Sequence, residues 1–379
     1  MLKVLHTADI HPRDKDYDEL KKCLSFTVMV AQSENIDLSI IAGDTFSLEA
    51  TNKIDSPVVK LIIETISGLA DIGPVFIIEG TTAHDGAAPE ILQFIKGKYP
   101  VHVTTMPEQL YIKQLDVVLT LIPTPTKQFF QTESGIAESN AEIAMAMNGL
   151  FAGFGAQAHE YDCPHILVGH WNVSGSILPT GQVMTGKDID IGLDQMMLAC
   201  PDLIALGHIH LRQQIGDRAF YSGSLYPLNW GENTEHGFYI HELDGKKLVE
   251  SRFIETPCKR LVRFQTDFTN PDNVTHVMTA EEVAGAYVRY DITVWQDEAA
   301  AINKSDIEAY AKELGAIDID IRIIRIPRET VRSESVLKVN TLRDKIKAMA
   351  ELRGETVSES ILAKADILEF GERKEQVAA

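Results

Sequence analysis

Five short motifs carry side chains able to hold divalent cations: Asp9-Ile-His11, Gly43-Asp44, Gly80-Thr-Thr-Ala-His84-Asp85, Gly169-His170 and Gly207-His208-Ile-His210. In the first and last, the two ligating residues stand two apart, so on extended chain both project to one side. Each glycine allows a tight backbone turn just where a strand would deliver its ligand. Mixed imidazole and carboxylate donors suit Mn, Fe or Zn better than all-oxygen Mg or Ca sites. Two such ions about 4 Å apart generate hydroxide at neutral pH and neutralise charge on phosphoryl oxygens, which is what phosphodiester cleavage requires. A carboxylate such as Asp44 can bridge them, and imidazole does so poorly. Taken singly the motifs are weak, because Gly-Asp and Gly-His are ordinarily plain turns. Their joint occurrence, each at the end of an apolar strand, points to a metal-dependent hydrolase.

The elements that must position these residues read as layered α/β. Leu2–Ala8, Leu38–Ala42, Val75–Ile78 and Val117–Ile122 are β-branched-rich runs bounded by Gly, Pro or Asp, as buried strands are. Between them Tyr17–Asn35 and Pro57–Ile72 show helical spacing, the second with Val58, Leu61, Ile62 and Ile66 on one stripe and Pro57 in its first turn. After a loop at Pro123–Gly135, Ile136–Glu160 is a predicted helix. Strands resume at His165–Val168 and Leu203–Leu206, followed by Ala219–Ser222, Gly237–Leu243 and Ser251–Glu255, with a hairpin turn at Asp244-Gly245. Open α/β sheets bind ligands at the carboxyl ends of their strands, where the five motifs fall.

Beyond Pro257 the pattern changes to β-β-α-β: Leu261–Asp267, Ala286–Val294, a helix near Ser305–Leu314 and Ile317–Ile326, with Ser305 as N-cap and Gly315 as stop. The end reads as a helical hairpin, with Val339, Leu342, Ile346 and Met349 on one seam and Gly354 as its break. Thr356-x-x-Glu359 is a candidate capping box for the second helix, which carries Ile361, Ala365 and Leu368. Three segments follow: 1–256, 257–332 and 333–379, the last ending in a polar tail.

The chain has 379 residues with 45% hydrophobic content, enough for a sizeable core, and a net charge of −20. That charge argues against a protein that coats nucleic acid electrostatically. The excess is uneven, with twelve basic against ten acidic residues from Ile321 onward. Cys23, Cys163, Cys200 and Cys258 lack any Cys-x-x-Cys pairing and read as reduced thiols. No apolar run reaches the length of a membrane span and the chain opens directly on a strand, so a cytoplasmic protein of a bacterial or phage type is expected.

The five motifs in this order resemble the calcineurin-like metallophosphoesterases. Asp188–Leu193, Tyr221-Ser-Gly-Ser224, Trp230-Gly-Glu232 and Gly237-Phe-Tyr239 extend the resemblance, over roughly residues 1–255, to the SbcD-type nuclease branch. The resemblance implies a four-layer sandwich of two mixed sheets flanked by helices, with a small α+β capping domain and a C-terminal helical hairpin. It implies two divalent cations, Mn foremost, with Mg, Fe or Zn possible. Asp9, His11 and His210 would hold one, His170 and His208 the other, and Asp44 would bridge. It further implies DNA as substrate, a homodimer built on helices at the position of the Val58–Ile66 stripe, and an SMC-like ATPase partner docking on residues 336–370 in double-strand-break processing. One position departs from the family pattern, which has Gly-Asn-His-Asp where this chain has Gly80-Thr-Thr-Ala-His84-Asp85. Aligned on His84-Asp85, His84 is an acid/base or charge-stabilising group oriented by Asp85, and Ala83 stands where a ligand belongs. Alternatively His84 itself reaches the metal. Thr81 and Thr82 are poor substitutes for the amide.

Other residues are weighed against plainer readings. His6 falls within a strand and is expected in the core or behind a ligand. His102, His159, His165, His236, His241 and His276 lack ligand spacing. Ser222 and Ser224 read as a turn or a phosphate-contacting loop, since no base for a nucleophile lies near them in sequence, and Arg322, Arg325 and Arg328 suggest backbone contacts on DNA against the plainer reading of surface charge balance. Two rival functions remain: a phosphodiesterase or phosphatase for small substrates, and a catalytically weak subunit that tethers DNA ends.

Overall fold

A computed structural model describes residues 1–375 apart from 52, 54, 127–135, 179–188, 233, 271, 273–276 and 329–338. His276, most of the Pro123–Gly135 loop, Asp188, the start of the hairpin's expected docking range and the last four residues of the tail therefore lie outside the described residues.

Two six-stranded mixed sheets form the centre. The first runs in the order Lys247–Glu255, Gly237–Asp244, Leu2–Thr7, Leu38–Ala42, Val75–Ile78, Val101–Thr104, with the last four parallel. The second runs Gln213–Ile215, Ala219–Tyr221, Leu203–Gly207, His165–His170, Val117–Ile122, Glu108–Ile112, parallel across its middle four. Strand alternation explains the layering. Val4, Ile40 and Phe76 of the first sheet pack with Leu119, Val168 and Ala205 of the second. Their neighbours Leu5, Ile41 and Ile77 face the other way, onto Leu20, Leu24, Ile62 and Ile66 of the helices Tyr17–Glu34 and Pro57–Ala70. On the far side, Leu167 and Ile204 meet Ile143, Met147 and Phe151 of the helix Ile136–Ala158. The result is helix, sheet, sheet, helix. Both strand faces are covered, which is why these strands read as continuous apolar runs.

The Pro57–Ala70 helix starts where the sequence indicates, with Ser56 accepting a hydrogen bond from the Val59 amide at 3.4 Å. Its stripe of Val58, Leu61, Ile62 and Ile66 is buried in the chain's own core. Truncating Ile62 to Ala would cost about 2–5 kcal/mol by cavity formation.

One polar thread crosses between the sheets. His6 Nε2 donates to the Leu206 carbonyl at 3.1 Å, and a carbonyl only accepts, so His6 Nδ1 carries the lone pair. His241 Nε2 therefore donates to it at 3.3 Å, and the Ser251 hydroxyl donates to His241 Nδ1 at 2.7 Å. His6 is thus a core residue that ties the first sheet to the strand Leu203–Gly207, which leads into His208 and His210.

Beyond the sandwich lies a three-stranded sheet in the order Arg260–Asp267, Ala286–Trp295, Asp318–Ile326. The chain divides into two compact units. One comprises Met1–Thr266, Val274–Ile292 and Asn303–Arg322, and the other Asp267–Asn273, Thr293–Ile302 and Ile323–Ala379. The helix Lys304–Glu313 is capped by Asn303, which accepts from the Ser305 amide at 3.1 Å, not by Ser305. In the second unit the hairpin helices are Leu342–Arg353 and Glu359–Glu375. Thr341 caps the first, and Gly354 ends it at a φ of 64°. The expected Thr356–Glu359 capping box does not form, because the second helix begins two residues later, with the Ser358 carbonyl accepting from the Leu362 amide. No helix among the described residues is long and apolar enough to cross a membrane.

Candidate metal centre

The carboxyl ends of five parallel strands, three from the first sheet and two from the second, bring the motif residues together. Their loops are stitched by the backbone: the Asp9 amide donates to the Gly43 carbonyl at 3.1 Å and the Ile10 amide to the Asp44 carbonyl at 2.9 Å. The His208 amide donates to both Asp9 carboxylate oxygens, at 3.0 and 3.1 Å. A Cβ on Gly80 would collide with Asp44, and one on Gly207 with the Ala42 carbonyl and the His170 ring. These two glycines are therefore close-approach positions.

Backbone strain collects at the same place. Among the described residues seven non-glycine positions have positive φ, and four of them are Asp9 (51°), His11 (42°), Asp44 (49°) and His208 (95°). Such conformations cost on the order of 1–3 kcal/mol each and persist where surrounding structure imposes them.

Ligand atoms of Asp9, His11 and His210 lie within 4.8 Å of one another, as do those of His11, Asp44 and His84, and those of Asp9, Asp44 and His170. Asp44 Oδ2 stands 3.4 Å from His11 Nε2 and 3.3 Å from His170 Nε2, a position between the two imidazoles. Its other oxygen accepts from the Thr81 amide at 2.7 Å and the Thr81 hydroxyl at 3.0 Å. His208 joins none of these triads, but its ring packs edge-on against His170 with centroids 5.3 Å apart. The His84 ring sits 4.4 Å from that of His11.

Electrostatics describe a site built for positive charge. Burial alone would raise the Asp44 carboxyl, yet the nearby positive charge of His170, with that of His11 and His84, holds it well below the usual range. His170 goes the other way: burial opposes its charge, but Asp44 and Asp9 raise it to about 9. Burial lowers His11 to about 3 and, with His170, His208 to about 4.

Two observations test the fit of a cation. His170 Nδ1 donates to the Ala42 carbonyl at 2.7 Å, which turns Nε2 toward Asp44 as a lone pair when the ring is neutral. That Nε2 atom is sealed from solvent and makes no hydrogen bond. Similarly, His210 Nε2 stands 3.1 Å from His11 Nε2 while its Nδ1 is taken by Glu232. Lone pairs facing a carboxylate and another imidazole require a proton or a cation between them. The donor set, four imidazoles and two carboxylates around shared space, fits divalent transition ions.

Several expectations are corrected. Asp85 does not orient His84: its carboxylate accepts from the Phe46 amide at 2.7 Å and the Gly80 amide at 2.8 Å, bracing the loop. Its burial, with nearby Asp44, raises it to about 7. Ser222 and Ser224 are fully buried, bonded to the Gly223 carbonyl and His236 Nδ1, and face no phosphate. Arg322 lines a cavity of about 600 Å³, whereas Arg325 is exposed and outside its lining. Arg328 pairs with Asp297 and Glu298. Sequence reasoning missed the rest of that cavity, where Arg13, Lys15, Lys259, Arg263 and Arg289 join Arg322 beside Asp16 and Asp291, with Asp320 pairing Arg289 and Arg322. Arg13 and Lys15 follow directly on His11, a signal available in the sequence. The cavity shares Asn229 and Gly231 with a second one, of about 390 Å³, that His208 and His210 line.

No protein-family model matches this chain. Among solved structures it is similar to a dimetal phosphatase from Danio rerio, at 10% identity over 67% of this chain and 99% of that one, with a TM-score of 0.41. It is also similar to an archaeal phosphodiesterase, at 11% identity over 67% and 100% with a TM-score of 0.30. A protein from Thermus thermophilus gives 12% identity over 66% and 98% with a TM-score of 0.37. At such scores the chemistry of the site is read from its own residues.

Proposed function

We propose that this chain is a divalent-metal-dependent phosphodiesterase acting on DNA, the nuclease subunit of an SbcD-like complex. The observation that carries the reading is the convergence of Asp9, His11, Asp44, His170 and His210, from four separate loops, on one strained and buried centre. Divalent ions held there would supply a hydroxide near neutral pH and neutralise phosphoryl oxygens. Asp44 is suited to lie between the two positions, since its Oδ2 already faces both His11 and His170. His84 joins the ligand set in place of the family's missing Asn, a role supported by its reach to both His11 and Asp44.

The adjoining cationic cavity favours a polymeric anion over a small phosphoester. Six basic side chains line it in a chain of net charge −20, and it adjoins the His208–His210 mouth. A nucleic-acid strand would engage both, because phosphate neutralisation dominates such binding. In the same proposal the terminal hairpin docks on a coiled coil of an SMC-like ATPase. Its exposed Met349, Leu352, Ile361, Ile367 and Leu368 support that reading.

The test is hydrolysis of linear duplex DNA, single-stranded DNA and bis-p-nitrophenyl phosphate by the full chain with Mn, Mg or chelator. The proposal expects metal-dependent cleavage of DNA with a higher kcat/KM than for the small ester. Turnover of the small ester alone would return the chain to the small-substrate class.

A further inference from the structure

The two inward-facing imidazoles whose Nδ1 partners are known are held differently. Behind His170 stands a backbone carbonyl, that of Ala42. Behind His210 stands a carboxylate: Nδ1 donates to Glu232 Oε1 at 3.1 Å. Glu232 is 5% exposed, an uncommon position for a carboxylate without a task. Its own loop holds it firmly, with Oε2 accepting from the Leu228 amide at 2.7 Å and Oε1 from Asn229 Nδ2 at 3.1 Å. The loop is anchored in turn, because Arg13 donates to the Leu228 carbonyl at 2.9 Å and the Glu232 amide donates to the Asn229 carbonyl at 3.1 Å.

An ionised carboxylate accepts hydrogen bonds and cannot donate one. The His210 hydrogen must therefore sit on Nδ1, and Nε2 presents its lone pair toward His11, 3.1 Å away. A carboxylate behind an imidazole also makes the far nitrogen more electron-rich than a carbonyl does, and raises its affinity for a cation.

We infer that Glu232 is a positioning residue: it locks His210 in the Nδ1–H form with Nε2 aimed at the space shared with His11 and Asp9, and so sets the affinity of that cation position selectively. The inference rests on the metal-dependent reading above. The His170 position, backed only by a carbonyl, does not depend on Glu232.

The experiment measures Mn binding to the full-length protein by isothermal titration calorimetry at neutral pH, with 15N-histidine NMR of the same samples. In Glu232→Ala, one of two Mn ions is expected to bind about 10–100-fold more weakly, the other changing less than about threefold. Glu232→Gln keeps an acceptor for Nδ1–H without the charge and should fall between. Asn229→Ala removes a loop bond to the same carboxylate without touching His210, and both ions should stay within about threefold of wild type. The His210 resonances should report Nδ1–H in the wild type and a tautomer mixture in Glu232→Ala. Wild-type affinity for both ions in Glu232→Ala overturns the inference while leaving the metal reading intact. So does equal weakening of both ions, or the same loss in Asn229→Ala, since either would mean that Glu232 merely supports the loop. A wild-type protein that binds no Mn overturns the inference and the metal reading together.

Discussion

The metal centre and the cationic cavity beside it solve the problem of charge in opposite ways. In the centre, Asp9, Asp44 and His170 are sealed from water and each side chain has a neighbour within hydrogen-bonding or ligating distance. In the cavity the more exposed arginines are wet and already paired, as Arg263 is with Asp291 and Arg322 with Asp320. Buried groups in a low dielectric are strongly coupled, so losing one leaves another uncompensated. Exposed pairs are screened, and each contributes little. Function in the centre should therefore be fragile residue by residue, and in the cavity graded and additive.

The sharpest way to break this contrast is Asp44→Asn. An amide cannot bridge two cations, so turnover should fall about a thousandfold or more, the scale of several kcal/mol of lost stabilisation. Circular dichroism should stay native, because the amide oxygen can still accept from Thr81. A loss of less than tenfold would mean that Asp44 does not lie between two ions. His84→Ala is next, with kcat/KM expected to drop about 10–100-fold and one Mn ion weakened. Recovery in His84→Asn, read by calorimetry, would mark His84 as a ligand in place of an amide. Failure of Asn to recover metal affinity would assign it to proton transfer instead.

The cavity predicts smaller effects. Lys15→Ala and Arg322→Ala should each weaken duplex binding a few-fold and reduce the slope of log affinity against log salt by about one. Fluorescence anisotropy across a salt series measures this. Wild-type slopes in both variants would detach the cavity from DNA.

The smallest effect concerns the thread behind the centre. Burial lowers His6 to about 3 and puts His241 well below its ordinary value. Both stay neutral when folded and charge when unfolded, so the unfolded chain binds more protons between roughly pH 6.5 and 3. Stability should be fully present above pH 6.5 and fall as acid is added through that window. His241→Phe should lose about 1–3 kcal/mol at pH 7 by stranding His6 Nδ1, and flatten the acid slope. An unchanged slope in denaturant melts at pH 7.5 and 5 would mean that the pair is not buried neutral.

What the sequence disclosed follows the same division. Leu38–Ala42, Val75–Ile78 and Val117–Ile122 fall on their expected bounds because strands covered on both faces are written as unbroken apolar runs. The residues that converge at the candidate metal centre were legible because strand ends and glycines mark them. Val101–Thr104 and Glu108–Ile112 were missed, being short, half-buried edge strands of mixed polarity. The Ser222 and Ser224 expectation failed because a polar Tyr-Ser-Gly-Ser run looks exposed until tertiary packing seals it. Arg322 and Arg325 were grouped by sequence, but an offset of three on a strand puts them on opposite faces. The cavity itself draws on Arg13, Lys259 and Arg289, far apart in the chain, and no local pattern joins them.

Anomalous diffraction from crystals grown with manganese interrogates the centre most directly. Two peaks are expected about 4 Å apart, one against Asp9, His11 and His210 and the other against His170, with Asp44 between them. A difference map with no manganese inside that ring of side chains would contradict the account.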